Sequence, residues 1–362
     1  MTEREAQILA WIKQNPMISQ NELAELAGIT RSGVAAHISN LMKRGYLRGK
    51  GYIVTPPSYV TVIGGVNMDI FGVADANIVD KSSTAGRVYY AVGGLGRNMA
   101  LNLRKLGLPN YFISVYGDDN NGEQFKADAL ANDIDITYSK QLANTNSSTY
   151  LFVNQPSGDR VVGLDDMTIN DRLTPDFLAE RLDVINNSTV VVIDSNLPQE
   201  TVAWLYEHCT RPLFAKAVSA TKAPRLRPQL GALDTLVLNA LEAPVLADIS
   251  VTDETSARRC GEILHQQGVE NIFIYIDALG MLYQSGDQQR FYPEQAIHQM
   301  NTNGAGAAAM AALVWARQNE LSFEETAQVA NAAAYLSMES IDAVNADLNV
   351  DQLRDKQHRL FD

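Results

Sequence analysis

The chain has 362 residues, 46% hydrophobic and 20% charged, which excludes a disordered or fibrous protein and leaves room for more than one domain with a sizeable core. Two cysteines (Cys209 and Cys260), no basic-then-apolar leader and no window near the ~18 apolar residues of a membrane span make the expectation a cytoplasmic protein with no membrane contact. The net charge of −13 is unevenly placed: residues 1–55 hold seven Lys/Arg against four Glu, a local +3, so the rest carries −16, and only the first segment suits a polyanion.

Ile8, Leu9, Trp11 and Ile12 recur at helical spacing until Asn15-Pro16 stops the pattern. Ser19 with Glu22 three residues on forms a capping box for a second helix, through Leu23, Ala24 and Leu26, that Gly28 ends. Thr30 caps a third, through Val34, Ile38 and Leu41 to Lys43 and Arg44. The spacing predicts a helix-turn-helix, and Tyr46–Val54 predicts a hairpin wing with a Gly49-Lys50-Gly51 tip. Such a winged-helix domain over residues 1–55 is expected to bind DNA. Arg31, Ser32, His37 and Asn40 would face a major groove, while Lys43, Arg44, Arg48 and Lys50 would meet phosphates. The bland alternative is a three-helix scaffold for dimer contacts. Pro56-Pro57 marks a linker to the second domain, 58–362.

Beyond the linker, apolar runs at Val60–Ile63, Tyr111–Val115, Thr189–Ile193, Leu236–Leu238 and Ile272–Ile276 alternate with helical periods, which predicts a doubly wound, mostly parallel α/β sheet. Arg87–Ala91, Tyr150–Val153 and Arg160–Leu164 do not fit that sheet and predict a small β lid. Three motifs carry chemistry. Asn303-Gly304-Ala305-Gly306-Ala307 precedes a small-residue helix, so backbone N–H groups converge at its positive end as an anion hole. Gly64-Gly65-Val66-Asn67-Met68-Asp69 follows the first strand of the second domain, and Gly93-Gly94-Leu95-Gly96-Arg97-Asn98 opens a helix. An Asp and an Asn near strand ends suit a polyol, which needs acceptors and donors together.

On these motifs the stretch from 58 to 355 resembles the ribokinase-like (PfkB) kinase family. Within it the chain looks most like the pseudouridine kinases, through Asn146-Ser147-Ser148-Thr149-Tyr150, Asp166-Met167 and Val218-Ser219-Ala220-Thr221-Lys222. The resemblance implies a sugar site at Asn67, Asp69, Gly93, Gly94, Asn98, Thr149 and Asp166. It implies a nucleotide side at Asn239, Glu242, Asp277, Gly280 and Asn331, with Glu242 organising Mg2+ and phosphates, ATP and Mg2+ as cofactors, a monovalent cation as a further candidate, and a homodimer.

Five departures fall on the phosphate-transfer side. The position of the family's base is Ala307, Lys216-Ala217 replaces an Asp-Pro pair, Leu238 and Ala240 replace a Pro and an Arg, and Asp277 replaces a Gly. Loss of a general base typically costs about 10²–10⁴ in rate. The expectation is therefore an impaired kinase homologue that senses a nucleoside or sugar and biases DNA binding. The rival is a working kinase whose substitute base is Asp277, Asp165 or Asp166.

Overall fold

The computed structural model describes residues 1–48, 58–79, 81–156, 160–297 and 299–362. Three helices come first: α1 (Glu3–Gln14), α2 (Gln20–Ala27) and α3 (Arg31–Lys43). The Ser19 hydroxyl accepts the Glu22 N–H at 3.2 Å while Ser19 N–H donates to Glu22 Oε2 at 2.8 Å, so the expected capping box forms. Gly28 ends α2 in the left-handed region (φ 61°), and Thr30 Oγ1 accepts the Gly33 N–H to start α3. Ile8, Ile12, Leu23, Val34, Ile38, Leu41 and Leu47 close a core of their own. From residue 49 the expected wing, with Lys50, and the Pro56-Pro57 linker lie outside the described residues.

The second part alternates strands and helices. It runs β1 (Val60–Ile63), β2 (Asn67–Ala74), β3 (Gly86–Gly93), α4 (Leu95–Lys105), β4 (Asn110–Ile113), β5 (Val115–Gly117), α5 (Asn120–Ala131), β6 (Lys140–Leu142), β7 (Thr149–Asn154) and β8 (Arg160–Asp166). There follow α6 (Pro175–Ala179), α7 (Leu182–Asn187), β9 (Val190–Asp194), α8 (Gln199–His208), β10 (Leu213–Lys216), β11 (Thr235–Asn239), α9 (Ala243–Ala247) and α10 (Glu254–Gln266). The chain closes with β12 (Asn271–Ile276), β13 (Gly280–Ser285), β14 (Gln288–Pro293), α11 (Ala305–Gln318), α12 (Phe323–Met338) and α13 (Val350–Phe361).

Eight strands make one sheet in the order β14-β13-β12-β11-β10-β9-β1-β4, parallel from β12 to β4 and antiparallel in the β12-β13-β14 edge. Helices cover both faces, so the strands read as unbroken apolar runs. In β9, Val190 and Val192 join the core under α4, α11 and α12, while Val191 and Ile193 join the opposite one. The short β10 and the antiparallel hairpin escaped the sequence reading. The first is four residues ending in a lysine, and the second carries polar residues on its outer strand.

The lid is a separate sheet, β3-β2-β7-β8, with β2 added to the three stretches read from the sequence. Phe71 stacks on Tyr89 and Phe152 at 5.0 and 5.2 Å. In register on the other face sit Ile70, Tyr90, Leu151 and Leu164, with Tyr90 65% and Leu164 69% exposed.

The N-terminal helices rest on the second domain through a polar seam. Arg48 pairs with Asp135 and lies over the Tyr111 ring, 5.4 Å from its centroid. Asn187 Nδ2 donates to the Arg44 carbonyl at 3.0 Å, and the Tyr46 hydroxyl donates to Asn187 Oδ1. Arg44 also bonds the buried Glu5 carboxylate at 3.3 Å. A backbone bond at Thr2 foremost, then Asn40 and Arg44, hold that carboxyl below its usual range.

Candidate ligand and phosphate site

Strands β1, β9, β10 and β11 end along one edge of the sheet, where ligands of open α/β sheets bind. Register aligns Ile63 with Ile193, Asp194 with Lys216, and Lys216 with Val237, two residues before Asn239. The glycine loops and the small-residue helix open onto the same edge.

On the sugar side, Asn67 Nδ2 donates to Asp69 Oδ1 at 2.6 Å, and Gly93, whose missing side chain leaves room for the Asp69 carboxylate, pairs with Asn67 across β2 and β3. Gly94 abuts Val66 and Gly65, so the two glycine loops touch. Asn98 is buried in the first turn of α4 and accepts from Arg97 at 3.1 Å, while Arg97 is clamped to Asp128. Thr149 opens β7 and takes a bond from Asn121 at 3.3 Å. The two lid carboxylates part ways: Asp166 accepts from the Thr168 hydroxyl at 2.9 Å, whereas Asp165 lies 3.4 Å from Lys222 Nζ.

The sequence reading missed the floor of this side. Asp194 is fully buried, accepts the N–H groups of Gly65 (3.0 Å) and Asn196 (2.8 Å), and burial raises its carboxyl above the usual range. Lys222 reaches Asn196 Oδ1 at 3.0 Å. The Asn170 amide, 2% exposed and close to Gly65, has neither of its polar atoms partnered among the described residues. The signal was present: an acid and an amide directly after an apolar strand, at Asp194-Ser195-Asn196, mark a strand-end site.

On the phosphate side, Gly304 caps α11 at φ 102°, a conformation that side chains resist, and the first helical bond runs from Ala308 N–H to the Gly304 carbonyl. The N–H groups of Ala305, Gly306 and Ala307 precede that bond and lie outside the helical ladder. Ala307 is 1% exposed and packs into the apolar core. Asn239 accepts the N–H groups of Leu241 and Glu242 and so caps the turn into α9, as a strand-end Asn does. Asp277 sits exposed in the β12–β13 turn, accepting the Tyr275 hydroxyl at 3.1 Å, and Gly280 starts β13 at φ 137°. Asn331 is wholly buried in α12, donating to the Ala327 carbonyl.

Glu242, the residue the resemblance gives to Mg2+, is wholly buried. Its Oε2 takes the Asn239 N–H at 2.9 Å and the Lys216 ammonium at 3.2 Å, while Oε1 has no partner among the described residues. No cluster of three His, Cys, Asp or Glu able to hold a metal occurs among the described residues. A divalent ion about 4 Å from that ammonium would meet about 8 kcal/mol of repulsion at the effective dielectric of protein sites, which cancels its attraction to Glu242 at a like distance, so the ion pair offers it no net binding charge. The residues present do not fit a hydrated Mg2+ held by Glu242.

Of the DNA candidates, Arg31, Ser32, Asn40 and Lys43 are exposed on α3, and His37 is half-buried. The Arg48 side chain is engaged by Asp135 at the seam, and the Arg44 guanidinium is bonded to Glu5 with Asp183 4.0 Å away.

A doubly wound α/β fold with an Asn67–Asp69 pair at its glycine loops and a glycine-capped helix at its strand ends points to a carbohydrate-kinase scaffold, and comparison with known proteins agrees. Residues 57–349 match the pfkB family carbohydrate kinase profile, and residues 1–48 match the winged helix-turn-helix DNA-binding profile. The chain is 33% identical to an uncharacterized sugar kinase, YeiI, of Escherichia coli, over 97% of this chain and 98% of that one, so the match includes the first helices. It is 28% identical to the pseudouridine kinase of Escherichia coli, covering 81% of this chain and 94% of the relative. Among solved structures, a carbohydrate kinase from Agrobacterium tumefaciens superposes with a TM-score of 0.72 at 25% identity, over 84% of this chain and 98% of that one. Arabidopsis thaliana ribokinase, solved with ribose and ATP, gives 0.72 at 20% identity, over 84% and 99%. The chain belongs to the pfkB family of carbohydrate kinases and carries an N-terminal winged helix-turn-helix.

Proposed function

We propose that this chain binds a ribose-containing nucleoside or sugar at the strand ends, is impaired in phosphoryl transfer, and uses ligand occupancy to set the DNA affinity of its winged helix. The observation that carries the reading is Ala307. It is a buried methyl group in the first turn of α11, where the family's base belongs, while Asn67, Asp69 and Gly93 of the proposed sugar side stay together and Asn98 opens α4. A methyl group takes no proton from a substrate hydroxyl, whereas hydroxyl recognition needs only the donors and acceptors that remain. Pseudouridine is the first ligand to test, because a pseudouridine kinase is similar over 81% of the chain.

Coupling to DNA is supported by the seam. Asn187 ends α7, which leads directly into β9 and its terminal Asp194, and Arg48 contacts Tyr111 of β4. A ligand that ordered the strand ends differently in the DNA-bound and free arrangements would shift the balance by its difference in affinity. The exposed apolar face of the lid supports a homodimer closed through that face.

The test enriches DNA from a random pool on the full chain and then titrates that DNA with and without saturating pseudouridine, uridine or ribose. A change of about 5–150-fold is expected for the effective ligand. Unchanged DNA affinity with a ligand that calorimetry shows to be bound removes the regulatory claim.

A further inference from the structure

We propose that Lys216 stands in for the divalent cation at the phosphate end of the cleft, so that a phosphate-bearing ligand binds this chain without Mg2+. The inference rests on reading these strand ends as the ligand cleft of the family and is independent of any role in DNA binding.

Lys216 closes β10, and its side chain is only 10% exposed. An isolated ammonium at that depth is costly, so it must be held. Glu242 Oε2 holds it at 3.2 Å, and the Ala217 carbonyl accepts from it as well. An ammonium has three protons to donate, and these are its two acceptors among the described residues, so one N–H of a nine-tenths buried group is left for a ligand. The lysine stem lies on the glycine loop: a Cβ added to Gly306 would stand 2.5 Å from Lys216 Cε and 3.6 Å from Nζ. The unassigned donor is thus next to the first turn of α11, whose leading N–H groups are outside the helical bonding pattern.

Two independent features, a buried cation with a spare proton and a helix start opened by glycine, converge on one spot. Both favour anionic oxygen. A divalent ion bridges a carboxylate to phosphate oxygens in ordinary magnesium sites. Here the carboxylate already has its counterion, and that counterion is covalently part of the chain. Lysine also needs no water shell, which suits the complete burial of Glu242. The phosphate could belong to a nucleotide or to a phosphorylated sugar.

Calorimetry on the full chain tests this with two probes, ATP and ribose 5-phosphate, each titrated in EDTA and in excess Mg2+. The expected result is binding of at least one probe with affinities in the two buffers agreeing within about threefold. ATP alone would indicate a nucleotide, and ribose 5-phosphate alone a sugar phosphate. Lys216→Met should weaken that binding by about tenfold or more, and Lys216→Asp should make it depend on Mg2+. If either variant fails to fold, the comparison of the two buffers for the unmodified chain still decides. A gain of tenfold or more on adding Mg2+, or no binding of either probe in both buffers, overturns the proposal. Ribose or pseudouridine titrated alongside separates this failure from loss of the sugar site itself.

Discussion

The proposed loss of turnover rests on a single methyl group, that of Ala307. The residue is the third of α11, a position where an aspartate would be favoured by the helix dipole, so nothing about the backbone forbids the family's usual side chain. The substitution Ala307→Asp should therefore fold and raise phosphoryl transfer, by about 10²-fold at the lower end of general-base effects. Transfer measured as labelled product from ATP checks it, and no gain would mean that Ala307 is not what limits the rate. The same scale holds what the sequence concealed. Ala307 and Lys216 could be read as departures, but that Lys216 pairs with Glu242 could not, because they lie on different strand ends 26 residues apart. Likewise the bond between Asp194 and the Gly65 N–H joins residues 129 apart in the chain and depends on the pairing of β1 with β9.

At the scale of elements, the three N-terminal helices were legible almost residue by residue, because Ser19, Gly28 and Thr30 act locally as caps and need no tertiary context. The lid was legible from its alternation and the parallel strands from their apolar runs. Among the strands not read, β10 and the β13–β14 edge are short or half polar, and only pairing with a neighbour makes them strands. The seam was not legible at all. Arg44 and Arg48 read as phosphate contacts, yet both guanidinium groups have carboxylate partners, Arg48 in Asp135 of the second domain and Arg44 in Glu5 of α1, with Asp183 4.0 Å away. On this geometry Asp135 competes with DNA for Arg48. Asp135→Asn should raise DNA affinity and steepen its dependence on log salt by about one unit, the value of one added phosphate contact. A salt titration showing the same slope and affinity would mean that Arg48 does not reach DNA.

At the scale of the molecule, a basic helix-turn-helix is joined to an acidic kinase scaffold in which Asn67 and Asp69 are hydrogen-bonded together and Ala307 is a buried methyl group. Ligand binding without consumption suits a sensor, since a bound nucleoside that is not converted persists long enough to report its concentration. The measurement that bears most directly on this is transfer of the terminal phosphate of ATP by the unmodified chain to pseudouridine, uridine and ribose, read as phosphorylated product. The expected rate is at least about 10² below the 1–100 s⁻¹ usual for kinases. Product formed within that usual range, from any of the three, would contradict it.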